Sequence, residues 1–174
     1  MIKYLGSKRA LAGVLGTLAE GSGARTAVDL FTGTTRVAQE FKRRGLLVTA
    51  ADLASYSEVL ARCYVATDSG AVDAADPDAL LAELNVLPGV RGYVTETFCE
   101  RARFFQPHNG QRIDAIRERL VELAGHRLYP VLLTALMEAA DCPIVQLMEI
   151  GDNPVDMMIG FSHADACHAA ISHL

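Results

Sequence analysis

The residues whose types and spacing carry the clearest chemistry are the run Val28-Asp29-Leu30-Phe31-Thr32-Gly33-Thr34-Thr35 and, 19 positions after Gly33, Asp52. A glycine between an apolar strand and a helix lets the backbone approach a ligand closely, and the helix amino terminus offers unpaired N–H groups. An acidic side chain about twenty residues further on, at the end of the next strand, has the reach to accept hydrogen bonds from the two ribose hydroxyls of an adenosine moiety. Glycine turns of this kind also make tight connections with no ligand, so the motif alone leaves both readings open.

Other constellations are weaker. His163, Cys167 and His168 are spaced so that two could share a helix face, but no second pair is placed to close a metal site, and no metal is expected. Asp114, Glu118 and Glu122 recur every four residues, which reads as a solvated carboxylate stripe on a helix. Cys63, Cys99, Cys142 and Cys167 form no CxxC pair, so reduced, mostly buried thiols are expected rather than a zinc ribbon or a disulfide framework.

These residues need a scaffold, and the hydrophobic pattern supplies one. Ser7 is placed to cap a helix with Leu11, Val14, Leu15 and Leu18 on one face, ended by Gly21 to Gly23. Residues 26–30 and 46–51 are short apolar runs that read as buried strands, joined by a helix over 35–44 that Gly45 terminates. Strand, crossover helix and strand make a parallel unit with a right-handed connection. Residues 68–88, rich in Ala and Asp, read as a surface insertion with a short helix at Leu80, Leu81 and Leu84. A helix over 111–123 carries Ile113, Ile116, Leu120 and Leu123, and Pro130 opens another whose apolar residues on nearly all sides predict burial. Beyond Asp141 the pattern dissolves.

Length and composition suit one globular domain: 174 residues, 51% hydrophobic. Without a leader-like start or an apolar run long enough to span a bilayer, a soluble, cytoplasmic protein is expected. The net charge of −5 argues mildly against nucleic acid, yet the basic residues are clustered, at Lys42 to Arg44 for example.

Several blocks together are more specific. Lys3-Tyr4-Leu5-Gly6-Ser7-Lys8 is similar to the amino-terminal motif of Dam-like adenine-specific DNA methyltransferases. Asp29 to Thr35 resembles the same family's strand-one loop, Ala51-Asp52-Leu53 its strand-two end, Phe104 to Asp114 its FF...NG..ID segment, and Leu132 to Asp141 a following helix. The resemblance implies an α/β fold, the first part of a doubly wound, Rossmann-like methyltransferase sheet with a mainly helical insertion. It implies a cofactor-binding part over 1–67, an insertion concerned with target recognition over 68–141, and an atypical tail over 142–174. The implied cofactor is S-adenosylmethionine, with Tyr4, Lys8, Asp29, Phe31, Gly33 and Asp52 as its contacts. DNA is the implied partner, with Arg101, Arg103, Arg112 and Arg117 as candidate contacts whose ordinary alternative is exposed helix charge.

The sequence departs from the family in two ways. The family usually has a second glycine where Thr34 or Thr35 stands, so the loop is bulkier. No DPPY, NPPY or SPPF segment occurs, so the catalytic residues are unassigned. An incomplete enzyme is therefore expected, completed by a methyltransferase fragment or a second copy. The rivals are a non-catalytic remnant that binds DNA or a partner, and an unrelated nucleotide-binding enzyme.

Overall fold

The structure, a computed structural model, describes residues 8–68, 70 and 75–141. They fall into two compact units, one within Lys3–Ala71 and the other within Val72–Cys167.

In the first unit β1 (Thr26–Leu30) and β2 (Leu47–Ala51) pair in parallel, with Thr26 opposite Leu47 and Leu30 opposite Ala51. Parallel neighbours require a crossover. It is made by α2 (Arg36–Arg43). β1 has the expected bounds and β2 starts one residue later. The helix stops where Gly45 reaches φ 81°, a left-handed conformation that favours glycine. Gly45 N–H donates to the Lys42 carbonyl (2.8 Å) and Leu46 N–H to the Phe41 carbonyl (3.1 Å), closing a Schellman end.

Among the described residues the sheet has two parallel strands joined by one crossover helix. Alternate residues face opposite ways. Ala27, Asp29, Val48 and Ala50 are covered, whereas Val28 and Leu30 are each 61% exposed and Leu47 is 74% exposed.

α1 (Arg9–Gly21) forms where its apolar spacing places it, with Leu11, Val14 and Leu18 exposed and Leu15 half-buried. A polar clamp holds it: the Arg44 guanidinium lies against Gly16, where a Cβ would overlap it, and pairs with Glu20 of α1 and Glu40 of α2. Hydrogen bonds from Arg43 and then Arg44 outweigh burial and hold the Glu40 carboxyl down at about 2. The Ser7 cap lies outside the described residues. α3 (Ser55–Ala61) runs on into a wider π turn, Arg62–Ala66. Lys42 Nζ donates to the Thr67 carbonyl (2.8 Å) at its end, a carbonyl that helix geometry leaves without a helical partner.

The second unit is helical: α4 (Ala75–Asn85), a π turn over Thr95–Arg101, α5 (Pro107–Glu122) and α6 (Tyr129–Ala140). Leu81, Leu84, Ile113, Ile116, Leu120, Leu132 and Leu136 are buried. α5 starts four residues before the expected 111 because Pro107 fits the first turn, where its missing N–H costs nothing. α6 is less completely buried than its composition predicts, with Val131, Leu132, Thr134 and Leu136 inside and the rest half-buried.

Asp114 corrects the reading of a solvated carboxylate stripe. Glu118 and Glu122 are exposed, but Asp114 is 1% exposed and accepts hydrogen bonds from Gly92 N–H (3.0 Å), Val94 N–H (2.9 Å), Thr95 N–H (2.8 Å) and the Thr95 hydroxyl (2.8 Å). The carboxylate thus ties the segment before the π turn to α5. Two glycines allow the approach: a Cβ at Gly92 would meet Asp114 Cγ at 2.7 Å, and one at Gly110 would overlap the Cys99 sulfur. Cys63 and Cys99 are buried thiols, while Cys142 and Cys167 lie outside the described residues.

Burial pushes the Asp114 carboxyl up, but the four donors outweigh it and the net shift is downward. A depressed carboxylate stabilises the fold above its unfolded value, about 4, and that stability is lost as pH falls through the folded value. Asp114→Ala strands buried donors, so we expect it to cost at least about 3 kcal/mol in urea unfolding at pH 7. The deficit should shrink as pH falls below about 4. A pH-independent deficit would show that packing alone is lost. Gly110→Ala should destabilise by about 1–3 kcal/mol through overpacking, and adding Cys99→Ala should recover part of it.

Candidate functional site

The expected cofactor residues meet at the carboxyl ends of β1 and β2, where open α/β sheets place their ligands. The connecting loop is unusual in its backbone: Phe31 (φ 58°), Gly33 (φ 54°) and Thr35 (φ 60°) are all left-handed. For Phe31 and Thr35 that conformation carries strain of about 1–3 kcal/mol each, so surrounding contacts must hold it. Thr35 stands where the resembled family can place its second glycine, and its left-handed backbone shows what that glycine would relieve.

The holding contacts come chiefly from Asp29. Its side chain is 5% exposed. Oδ2 accepts from the Thr32 hydroxyl (2.8 Å) and from Ala38 N–H in the first turn of α2 (3.2 Å). Thr35, at the N-cap position, makes no side-chain cap bond to α2, and its own hydroxyl donates to the Thr34 carbonyl (2.8 Å). The cap is therefore supplied from the strand. Lys8 Nζ completes the arrangement, reaching the Phe31 carbonyl (3.0 Å), the Leu30 carbonyl (3.4 Å) and Asp29 Oδ1 (3.4 Å).

Asp52 closes the other side. Its Oδ2 accepts from Gly33 N–H (2.9 Å) and its Oδ1 from Ala54 N–H (2.9 Å). The Ala54 and Gly33 amides, with smaller help from Lys8, hold its carboxyl below the usual carboxylate range. A carboxylate offers about four lone-pair positions, so room remains for a further donor beside the Ala54, Gly33 and Leu53 amides. Lys8, Asp29, Phe31, Gly33 and Asp52 are thus brought together, and Tyr4 lies outside the described residues. A cleft of about 390 Å³ adjoins them, lined by Thr32, Ala50, Ala51, Asp52, Ser57 and Arg62.

Two features escaped sequence reading. Leu53, directly after Asp52, is 99% exposed, a large apolar side chain at the rim of a polar site. The Ser57 hydroxyl is buried against the cleft without a hydrogen-bond partner among the described residues. A leucine beside the strand-end acid was a legible signal for the first. Nothing in the sequence distinguishes Ser57 from a surface serine.

The four arginines of the second unit fare differently. Arg101 pairs with Glu96, and Arg112 donates to the Asn85 carbonyl at the end of α4 (3.0 Å). Arg103 and Arg117 are exposed with no ion pair among the described residues, and Arg117 lies over the Tyr93 ring, 5.9 Å from its centroid. His163, Cys167 and His168 lie outside the described residues. No helix of the described residues is long and apolar enough to cross a membrane.

The chain is 31% identical over 154 residues to the Type II methyltransferase M.NlaIII of Neisseria lactamica, an alignment covering 80% of this chain and 45% of that protein. The chain thus spans about half the length of this curated relative. No solved structure matches it. The sequence model of the D12 class N6 adenine-specific DNA methyltransferases matches residues 4–142, which takes in the β1 loop, Asp52 and the helical unit, and the chain therefore belongs to that family.

Proposed function

We propose that the corner at β1 and β2 binds S-adenosylmethionine and that the chain serves methyl transfer to the adenine amino group of DNA. The observation that carries the reading is the pairing of Gly33 N–H with Asp52, whose carboxylate is exposed and so can also accept from ribose hydroxyls. Bound there, S-adenosylmethionine would supply an electrophilic methyl group on a cationic sulfur. Asp29 favours such a ligand over a phosphorylated one. Its carboxylate already occupies the amino terminus of α2, the place where a dinucleotide would put its pyrophosphate. The exposed Phe31 and Leu53 offer apolar contact to the flanks of the ligand.

On this reading the two strands begin a doubly wound sheet, the helical unit is the target-recognition insertion, and the protein is cytoplasmic. The missing amino-group site, the Asp-Pro-Pro-Tyr segment, comes from a complementary methyltransferase portion. The uncovered sheet face of Val28, Leu30 and Leu47 supports this part, since exposed apolar patches mark surfaces that another element covers.

Calorimetry with S-adenosylmethionine tests the cofactor site. Asp52→Ala removes charge-assisted hydrogen bonds and should weaken binding about tenfold or more. Because the Asp52 carboxyl lies below the usual range, binding should stay level from pH 8 to about 5 and weaken only as pH falls further. Equal affinity of the two proteins would remove Asp52 from the site.

A further inference from the structure

The second unit exposes aromatic rings in one contact chain. Tyr93 and Phe98 meet edge to face with centroids 6.0 Å apart, Phe98 and Phe105 at 6.4 Å, and Phe105 and Phe104 at 4.8 Å. Tyr93 is 61% exposed, Phe98 37% and Phe104 48%. A soluble surface gains nothing from leaving these rings wet.

The rings are held rather than loose. Phe104 N–H and Phe105 N–H both donate to the Phe98 carbonyl, at 2.7 and 3.1 Å. Asp114 fixes the backbone on either side of Tyr93 through Gly92 and Val94. The patch is therefore preorganised, and ordering it on binding costs little entropy.

Its charge says what it fits. Arg91, Arg101 and Arg119 are neutralised locally, by Glu100, Glu96 and Glu83. Arg103 and Arg117 are exposed and carry no ion pair among the described residues; Arg103 directly precedes Phe104 in the chain, and Arg117 lies on Tyr93. Exposed aromatic faces together with uncompensated guanidinium groups suit a polyanion that carries flat bases. An apolar protein partner would not need the cations, and an acidic one would not need the rings.

We propose that Tyr93, Phe98 and Phe104, with Arg103 and Arg117, form a stacking platform for an unpaired base of DNA. The proposal rests on the reading of the chain as a DNA methyltransferase, whose chemistry requires a base to leave the helical stack. It adds a separate role: the rings receive bases while the arginines take phosphates.

The chain has no tryptophan, so Tyr93→Trp places a single reporter on the platform. Titrating the full chain with a short single-stranded oligothymidine should quench its emission to saturation, and a fully paired duplex should quench it less. Phe104→Ala should weaken single-strand binding about tenfold at every salt concentration, since stacking is worth roughly 1–3 kcal/mol per base. Arg103→Ala should instead flatten the salt dependence by about one unit of slope. Tyr93→Phe, which keeps the ring, should bind like the wild type, and unchanged circular dichroism certifies each fold. If DNA binds with the arginine effects but without quenching or ring effects, the platform is wrong and the DNA reading survives. If no DNA binds at low salt, both fall. A concentration-dependent emission shift without DNA would assign the patch to a second copy of the chain and overturn the proposal.

Discussion

One buried carboxylate organises the candidate site. Asp29 sits at the end of β1 with its charge satisfied by Thr32, by the first turn of α2 and by Lys8. Without it the loop would have to hold two non-glycine residues in left-handed conformations with no cap on the helix that follows. The direction of α2, and through it the pairing of β1 with β2, depends on that anchor. Gly33 is then presented to Asp52, so the geometry of the ligand corner is a consequence of a charge placed one strand away. Asp114 plays the corresponding part in the helical unit, where it gathers the turn before Thr95 onto α5.

The two carboxylates differ in what they leave available. Asp114 is fully buried and its four donors, from Gly92, Val94 and Thr95, belong to the fold, so its role is structural. Asp52 is exposed and accepts chiefly from the Ala54 and Gly33 amides, which hold its carboxyl below the usual range, so on the proposed function it can serve the fold and a ligand together.

What could be read from the residues was local. β1 was legible to the residue because Thr26, Ala27, Val28 and Leu30 make a short β-branched and apolar run after Arg25, and the end of α2 because Gly45 is the one residue there that takes a left-handed φ without strain. Asp52 could be singled out because a spacing of 19 from Gly33 is what one crossover helix imposes. What escaped was non-local or off the ordinary helical period. The π turns at Arg62–Ala66 and Thr95–Arg101 have no apolar spacing that announces them. Asp114 looked like one rung of a surface stripe because its donors lie 19 to 22 residues away. The Arg44 clamp over Gly16 of α1 was equally hidden, because its partners lie on another helix.

The proposed function has this chain supply the cofactor corner and a complementary portion the adenine-holding segment. Its most direct test is transfer of labelled methyl from S-adenosylmethionine to adenine in duplex DNA, with the 174-residue chain alone and with an added methyltransferase fragment bearing a DPPY motif. Positioning and electrostatic stabilisation of the amino group account for many powers of ten in rate, so label should enter DNA only when both are present, and not when the chain carries Asp52→Ala. Robust turnover by the chain alone would contradict the account and direct attention to an unrecognised catalytic group within it.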